Sequence, residues 1–254
     1  MTITLYTLLY NEEHILPYFL KHYSQYVNKI VVHNNQSTDT SIQILKNWKG
    51  CEIEIIDFNT NNQYDERKLT ELRNNCWKDG SNSDYVIICD MDEILYHPNL
   101  IEYLKKNGNI DYFTPIGWDM VGNEIPTYYD KQIYDIINSG VVNLNYNKSI
   151  LFKRNTIIDT GYSVGAHTSR FRGFKDLSNI SNNNDLKLLH YKWLSTDYAI
   201  NKHTLFIKRG KCEDSIKNKW GTHYDHTVET IIKNYNYIKN KSITIVNNKN
   251  KNLL

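Results

Sequence analysis

Long apolar runs and closely spaced cysteines are both missing from this chain. Its 254 residues include only four cysteines, Cys51, Cys76, Cys89 and Cys212, with no C-x-x-C spacing. Two of them lie in apolar runs typical of strands, so we expect reduced, buried thiols. No apolar run approaches the roughly 18 residues of a membrane span, and no basic stretch precedes the first apolar run. We therefore expect a soluble, cytoplasmic protein without a transmembrane segment.

Charge of one sign is not in excess either. Thirty Lys and Arg against 28 Asp and Glu leave a formal net charge of +2, and no segment forms a long basic stripe. This balance argues against a nucleic-acid polymer as the principal partner. The P-loop and dinucleotide-binding fingerprints are absent, so the sequence does not support ATP hydrolysis or hydride transfer. The length suffices for one domain with a sizeable core, with or without an added lobe.

An apolar run that ends in acids is the most informative feature present. The five residues Tyr85-Val-Ile-Ile-Cys89 lead directly into Asp90, Asp92 and Glu93. This pattern predicts a buried strand whose acids lie at its carboxyl end, where open α/β sheets bind ligands. In a regular strand Asp90 and Asp92 leave the same face, so both can bind one divalent cation. An isolated Asp-x-Asp is more often a solvated turn, but the apolar run before it favours a functional site.

The first half of the chain alternates strand and helix patterns. Strands are predicted over residues 3–9, 27–33, 51–58 and 84–89, with helices over 12–26, 37–48 and 64–78 between them. This alternation predicts a parallel sheet with right-handed crossovers. A fifth strand is predicted over residues 110–116.

Beyond residue 120 the pattern becomes irregular. Glycines separate short apolar segments, which predicts short strands and loops laid over the ligand-binding edge of the sheet. Two helices are expected near the end, over residues 196–209 and 226–239.

Polar segments follow four of the predicted strands. They are Tyr10-Asn-Glu-Glu13, His33-Asn-Asn-Gln-Ser-Thr-Asp39, Asp90-Met-Asp-Glu93 and Gly117-Trp-Asp119. Because the carboxyl ends of parallel strands meet at one edge of a sheet, these side chains are expected to converge.

Several of these segments, taken in order with later ones, carry a resemblance. They are Tyr10-Asn-Glu-Glu, Asn34-Asn-Gln-Ser-Thr-Asp39, Cys89-Asp-Met-Asp-Glu-Ile, Lys148-Ser-Ile-Leu-Phe-Lys153, and Leu189-His-Tyr-Lys with Lys208-Arg-Gly210. The set resembles the family-2-like glycosyltransferases of the nucleotide-diphospho-sugar transferase (GT-A) fold, over residues 3 to 210. The order of the set is more specific than any single motif. One departure is Gln36, which stands where relatives usually have Gly and leaves the backbone path of that turn open.

The resemblance implies a Rossmann-like α/β architecture, with a mostly parallel central sheet flanked by helices and an irregular acceptor-side region. Residues 1–210 would form the glycosyltransferase domain, divided into a nucleotide-sugar-binding half (1–120) and an acceptor and metal-completing half (121–210). Residues 211–254 would form a C-terminal helical extension.

The resemblance also implies roles for individual residues. Asp39 would contact the nucleotide base, while Asp90 and Asp92 would meet the ribose and a divalent metal. His190 would complete the metal shell, although a histidine at a strand end also commonly pairs with a backbone carbonyl. The expected nucleotide-binding set is Tyr10, Asn11, Glu13, Asn35, Asp39, Arg73, Asp90 and Met91, although helical basic residues such as Arg73 are more often solvated. The acceptor or phosphate side is expected to include Trp118, His167, Lys208 and Arg209, although Trp118 is also consistent with a buried core residue and His167 with an ordinary loop histidine.

The implied reaction is the metal-dependent transfer of a sugar from a UDP-linked donor to a hydroxyl of a glycan, glycolipid or protein, with inversion. Carboxylates suit Mn²⁺ or Mg²⁺, and an imidazole ligand favours Mn²⁺. The acceptor hydroxyl must lose a proton, for which Asp119 is the first candidate base and Glu124 the second.

Other functions are less consistent with the sequence. A haloacid-dehalogenase-like phosphatase also uses Asp-x-Asp after an apolar strand, but there the motif normally opens the chain. A catalytically inactive nucleotide-sugar-binding protein differs from an enzyme only in turnover. His223 and His226 have the spacing of two zinc ligands, but no supporting Cys or His lies nearby in sequence.

Overall fold

The computed structural model describes residues 1–78 and 82–246, apart from the side chains of residues 182 and 183. Its strands are β1 (Ile3–Leu9), β2 (Lys29–Asn34), β3 (Glu52–Asp57), β4 (Tyr85–Asp90), β5 (Glu93–Tyr96), β6 (Tyr112–Val121), β7 (Ser139–Val142), β8 (Leu151–Lys153), β9 (Ile157–Asp159), β10 (Arg172–Gly173), β11 (Asn179–Trp193) and β12 (Ile243–Thr244). Its α-helices are α1 (Leu16–Tyr23), α2 (Ser41–Asn47), α3 (Glu66–Asn75), α4 (Leu100–Lys106), α5 (Ile133–Ile136), α6 (Thr196–Arg209), α7 (Glu213–Lys217) and α8 (Val228–Lys241). Short 3₁₀ turns lie at Leu144–Tyr146, Val164–Ala166 and Thr222–Asp225.

One large mixed sheet organises the molecule. Strands β3, β2, β1 and β4 are parallel neighbours in that order. The sheet continues through the antiparallel strand β8 to β6, and β11 runs parallel to β6. The predicted α/β fold, with helices flanking a central sheet, is confirmed.

The strand register brings the predicted polar segments to one edge. Asp90 pairs with Leu8, and Leu9 pairs with Asn34, so β1, β2 and β4 end side by side. On the second half of the sheet, His190 of β11 lies beside Asp119 of β6 and opposite Glu93 of β5. The long β11 therefore delivers residues distant in sequence to the end of β4.

Buried apolar side chains explain why these segments fold as they do. Ile3, Leu5 and Ile87 of the central strands are fully buried, as is most of the apolar face of α1. Polar caps define several helix starts: Asp65 accepts a hydrogen bond from Lys68 N at α3, and Ser195 accepts one from Tyr198 N at α6.

The predicted elements are largely correct, with one gap. The bounds predicted for β1 and α6 agree with the structure, and the other early elements shift by one to four residues. The prediction missed β5 and α4, which are short and lie between β4 and β6. It also ended β6 too early: the strand continues to Val121, so Asp119 lies inside it rather than after it.

The carboxyl-terminal segment packs on the same sheet. Strand β12 pairs with β7, and the Tyr235 hydroxyl of α8 donates to the Gly122 carbonyl. Ile231 and Ile238 join a small core with Trp193. Within the described ranges, every helix is too short or too polar to cross a bilayer.

Candidate active site

The carboxyl ends of β1 and β4 border a cavity of about 140 Å³. Helix α6 and the 3₁₀ turn Thr222–Asp225 form its opposite wall, where the Tyr224 and Phe206 rings stack with centroids 3.9 Å apart. Of the residues predicted from sequence, eight line this cavity: Tyr10, Arg73, Asp90, Met91, Asp92, His167, His190 and Arg209.

Two cations hold the Asp90 carboxylate. Arg73 Nη2 lies 2.9 Å from Oδ1 of Asp90, and Lys148 Nζ lies 3.3 Å from Oδ2. Lys148 also lies 2.5 Å from the buried Glu93 carboxylate. Burial raises the pKa of Asp90, but the charges of Arg73 and Lys148 outweigh this effect and hold it below its ordinary value. Asp90 is therefore ionised and paired on both oxygens.

A third cation bridges Asp92 to the loop after β1. Lys202 Nζ lies 2.8 Å from Asp92 Oδ2 and 2.8 Å from Glu12 Oε1. Burial raises the pKa of Asp92, but Lys202 and His190 lower it by more than burial raises it. The pKa is therefore well below its ordinary value, and the carboxylate is charged. Burial raises the pKa of Glu12 to about 7, with Lys202 opposing the shift. Glu12 is thus a cavity carboxylate that titrates near neutrality.

His190 is held in a fixed orientation by Asp119. Its Nδ1 lies 2.7 Å from Asp119 Oδ1, and the Asn143 amide donates to the other oxygen of Asp119 at 2.7 Å. The Tyr146 ring stacks on the imidazole with centroids 3.9 Å apart. These contacts leave Nε2 of His190 facing Asp92 Oδ2, 3.5 Å away. Burial lowers the pKa of His190, but Asp92 and Asp119 more than compensate and raise it to about 9.

The pair formed by Asp92 and His190 fits a divalent metal. A carboxylate oxygen and an imidazole nitrogen are suitable ligands for Mn²⁺, and Asp119 supplies the outer carboxylate that typically orients a metal-binding histidine. The described parts of the chain contain no cluster of three or more His, Cys, Asp or Glu side chains arranged around a metal position. The remaining ligands would therefore have to be water and substrate oxygens, as is common when a cation binds a diphosphate.

The two loops predicted to bind the nucleotide instead bind each other. Asn11 Oδ1 accepts from Thr38 N at 2.7 Å, and Glu13 Oε2 accepts from Thr40 N at 3.0 Å. Asp39 accepts from Glu13 N and Ser41 N, both at 3.0 Å. None of Asn11, Glu13 and Asp39 borders the cavity. Their hydrogen bonds join the ends of β1 and β2 and position Tyr10 and Glu12.

Aromatic and basic side chains form one end of the cavity. The Arg209 guanidinium lies 3.6 Å from the centroid of the Tyr10 ring, and its Nη2 donates to Thr60 Oγ1 at 3.0 Å. Thr60 in turn contacts Asn35 Oδ1, while the amide nitrogen of the buried Asn35 has no partner among the described residues. Asn35 thus supports this end from behind the cavity wall.

Other predicted residues lie away from the cavity. Glu124 and Lys208 are exposed, and Trp118 packs against the core. Asp119 is buried behind His190. Sequence reasoning also missed several cavity residues, among them Glu12, Glu66, Tyr146, Lys148, Lys192 and Lys202. Lys148 begins the motif Lys148-Ser-Ile-Leu-Phe-Lys153, but nothing in the spacing of that motif indicates a buried ion pair.

Comparisons with known proteins find similar solved structures. No protein-family model matches the sequence, and no curated protein matches it either. TarS from S. aureus (residues 1–349) is 13% identical over 82% of this chain and 65% of that one, with a TM-score of 0.47. Glucosyl-3-phosphoglycerate synthase from Mycobacterium tuberculosis, in complex with Mn²⁺, uridine diphosphate and phosphoglyceric acid, is 20% identical over 46% of this chain and 43% of that one, with a TM-score of 0.30.

This chain therefore spans less than two thirds of either structure. Because both TM-scores are below 0.5, the assignment of a function depends on the geometry of the site itself.

The structural role of Asp39 leads to a prediction. Asp39→Ala removes the acceptor for two backbone N–H groups and should lower the free energy of unfolding by about 1–2 kcal/mol. Denaturant unfolding measures this loss, and Asp57→Ala, at an exposed strand end, is the matched control. If Asp39 contacted the base instead, the variant would lose nucleotide affinity while its stability stayed unchanged.

Proposed function

We propose that this protein is a GT-A-type glycosyltransferase that moves a sugar from a UDP-linked donor to an acceptor hydroxyl with inversion. The observation that carries the proposal is the convergence of Asp92 and His190 at the end of β4, within a cavity lined by five Lys and Arg side chains. A diphosphate leaving group needs such charge, because it gains negative charge as the glycosidic bond breaks.

The donor would lie along α6. The nucleobase of the donor would stack at the end of the cavity formed by Tyr10 and Arg209. The diphosphate of the donor would lie near Arg73, Lys148 and Lys202. The cavity is smaller than the roughly 300–1,000 Å³ that holds ligands of this size, so the turn Thr222–Asp225 must move outward. Hydrogen exchange of the Tyr224 amide should therefore change when uridine diphosphate is added, and an unchanged rate would contradict this placement.

Asp92 and His190 would hold a Mn²⁺ or Mg²⁺ ion against the diphosphate. Such an ion supplies electrostatic stabilisation of the leaving group. Asp119 binds Nδ1 of His190 and would thereby leave Nε2 free to hold the ion. Lys202 must then share Asp92 with the metal or turn toward the diphosphate, and Glu12 would lose part of its neutralising partner.

The chemical step transfers the glycosyl group in one displacement. The acceptor oxygen forms a bond to the anomeric carbon as the bond from that carbon to the diphosphate oxygen breaks, and the leaving diphosphate takes the electron pair. We assign the acceptor proton to Glu12, because it lines the cavity, shares its partner Lys202 with Asp92, and has a pKa that burial raises to about 7. Asp119 is committed to His190, and Glu124 does not border the cavity.

The geometry does not favour the phosphatase alternative. A nucleophilic aspartate needs a free oxygen to attack phosphorus, whereas Asp90 is paired with Arg73 on one oxygen and Lys148 on the other. A nucleotide-sugar-binding protein without activity would share the same site, so turnover is the decisive observation.

A screen of nucleotide sugars tests the function. The protein is incubated with each donor, Mn²⁺ and a mixture of candidate acceptors, and release of nucleoside diphosphate is followed. We expect release from a UDP-linked sugar that stops when the metal is chelated. Binding of nucleotides without any release would leave only the binding function.

Two variants separate the proposed roles. Asp92→Asn removes the charge that would hold the metal and should abolish transfer at temperatures where the variant is still folded, while the loss of its buried ion pair with Lys202 should lower the melting temperature. Glu12→Gln should lower kcat by about 10²–10⁴-fold and leave nucleotide affinity within a few-fold. Full activity of Asp92→Asn would remove Asp92 from the metal site, and an unchanged kcat in Glu12→Gln would exclude Glu12 as the base.

A further inference from the structure

Two cations that line the cavity, Lys192 and Arg209, have no carboxylate within ion-pair distance among the described residues. Arg209 instead packs on the Tyr10 ring and donates to Thr60. By contrast, Arg73, Lys148 and Lys202 each contact at least one carboxylate. The nearest aromatic contact of Lys192 is the ring of Trp193, 5.5 Å away. The carboxylates of Asp119 and Asp92 attract this half-buried ammonium only from beyond ion-pair distance, so this corner of the cavity favours an anion in direct contact.

The imidazole of the neighbouring His203 would also be stabilised by an anion nearby. Its Nδ1 lies 2.8 Å from the Ala199 carbonyl, and its Nε2 lies 3.0 Å from the His223 carbonyl. Carbonyl oxygens only accept hydrogen bonds, so both contacts are satisfied only when the imidazole carries two protons. Burial and the nearby Lys192 charge oppose that state and lower the pKa of His203. An anion bound at Lys192 would remove part of this opposition.

The position of Lys192 separates it from the nucleotide end. Helix α6 presents Ala199, Lys202, Phe206 and Arg209 to the cavity, and it reaches Tyr10 at its carboxyl end. Lys192 precedes the amino end of this helix. Lys192 lies on β11 two residues after His190, and both side chains line the cavity.

We propose that Lys192 forms a subsite for the acidic group, a carboxylate or a phosphate, of an anionic acceptor. The inference rests on the proposed function, in which the other end of the cavity holds the donor. Lys192 would act as a point charge for the acceptor's acid group and hold the acceptor hydroxyl near the metal position. Acceptors without an acid group would then be poor substrates.

Binding of inorganic phosphate and acetate tests the subsite without turnover. Each anion is titrated by calorimetry into the full chain, first alone and then with saturating uridine diphosphate and Mn²⁺. We expect saturable binding in both conditions and a loss of about tenfold or more in affinity for Lys192→Gln. Lys192→Arg should retain binding. Lys187→Gln, on the same strand but outside the cavity, is the matched control and should bind as the wild type does.

Three results would overturn the subsite. Phosphate and acetate could fail to bind the wild type, or their binding could survive Lys192→Gln. Uridine diphosphate could also displace the anion one for one, which would place Lys192 on the donor diphosphate. If no nucleotide sugar is turned over but the anion still binds through Lys192, the proposed function fails and the anion site stands.

Kinetics provide the second readout once a donor is known. Paired acceptors, such as glucose 6-phosphate and glucose, are compared at fixed donor concentration. Lys192→Gln should raise the KM for the phosphorylated acceptor by about tenfold and leave the KM for the donor unchanged. A raised donor KM with an unchanged acceptor KM would contradict the proposal.

Discussion

The compensation of negative charge at the end of β4 is the constraint on which the site depends. Asp90, Asp92 and Glu93 lie within four residues, and all three are largely withdrawn from solvent. Buried carboxylates are costly unless they are paired, so cations must reach them. The chain supplies these cations from four separate segments, with Arg73 on α3, Lys148 before β8, His190 on β11 and Lys202 on α6.

This arrangement explains why the irregular second half belongs to the site. The acids come from the ends of β1 and β4 and the start of β5. Arg73 comes from α3, but the other basic side chains that neutralise them come from the segment before β8, from β11 and from α6. The same cations are then available to a diphosphate, because a phosphate can replace a carboxylate as the partner of a lysine, and a metal can replace a lysine as the partner of a carboxylate. We infer that substrate binding exchanges the partners of basic side chains that already lie in the cavity.

The sequence predicted the parts of the site that depend on local pattern. Asp90 and Asp92 follow a continuous apolar run, and His190 follows another. The predicted ends of these strands therefore indicated the positions of all three residues. Lys202 could not be predicted in this way. The sequence around it does not differ in kind from that around Lys208, which lies on the same helix and is exposed. The two differ only in the tertiary position of α6, which brings Lys202 to Asp92 and Glu12.

The polar loops after β1 and β2 show what local sequence cannot predict. Asn11, Glu13 and Asp39 were correctly located at strand ends, but local sequence could not show that their side chains bind the adjoining loop. Glu12 and Glu13 are neighbours with the same chemistry, and the backbone at Asn11, with a φ of 53°, turns the first toward Lys202 and the second toward Thr40. In the fold, β5 and α4 were missed because four- and seven-residue elements carry too few periods to be recognised.

Binding of uridine diphosphate with and without a divalent ion tests the central claim most directly. Two carboxylates at one strand end repel a diphosphate unless a cation lies between them, and Arg73, Lys148 and Lys202 remain paired with carboxylates until a metal takes their place there. Calorimetry in Mn²⁺ should therefore show saturable binding that weakens by at least tenfold in chelator. Equal affinity in the two conditions would contradict the account and would assign the diphosphate to the lysine and arginine side chains alone.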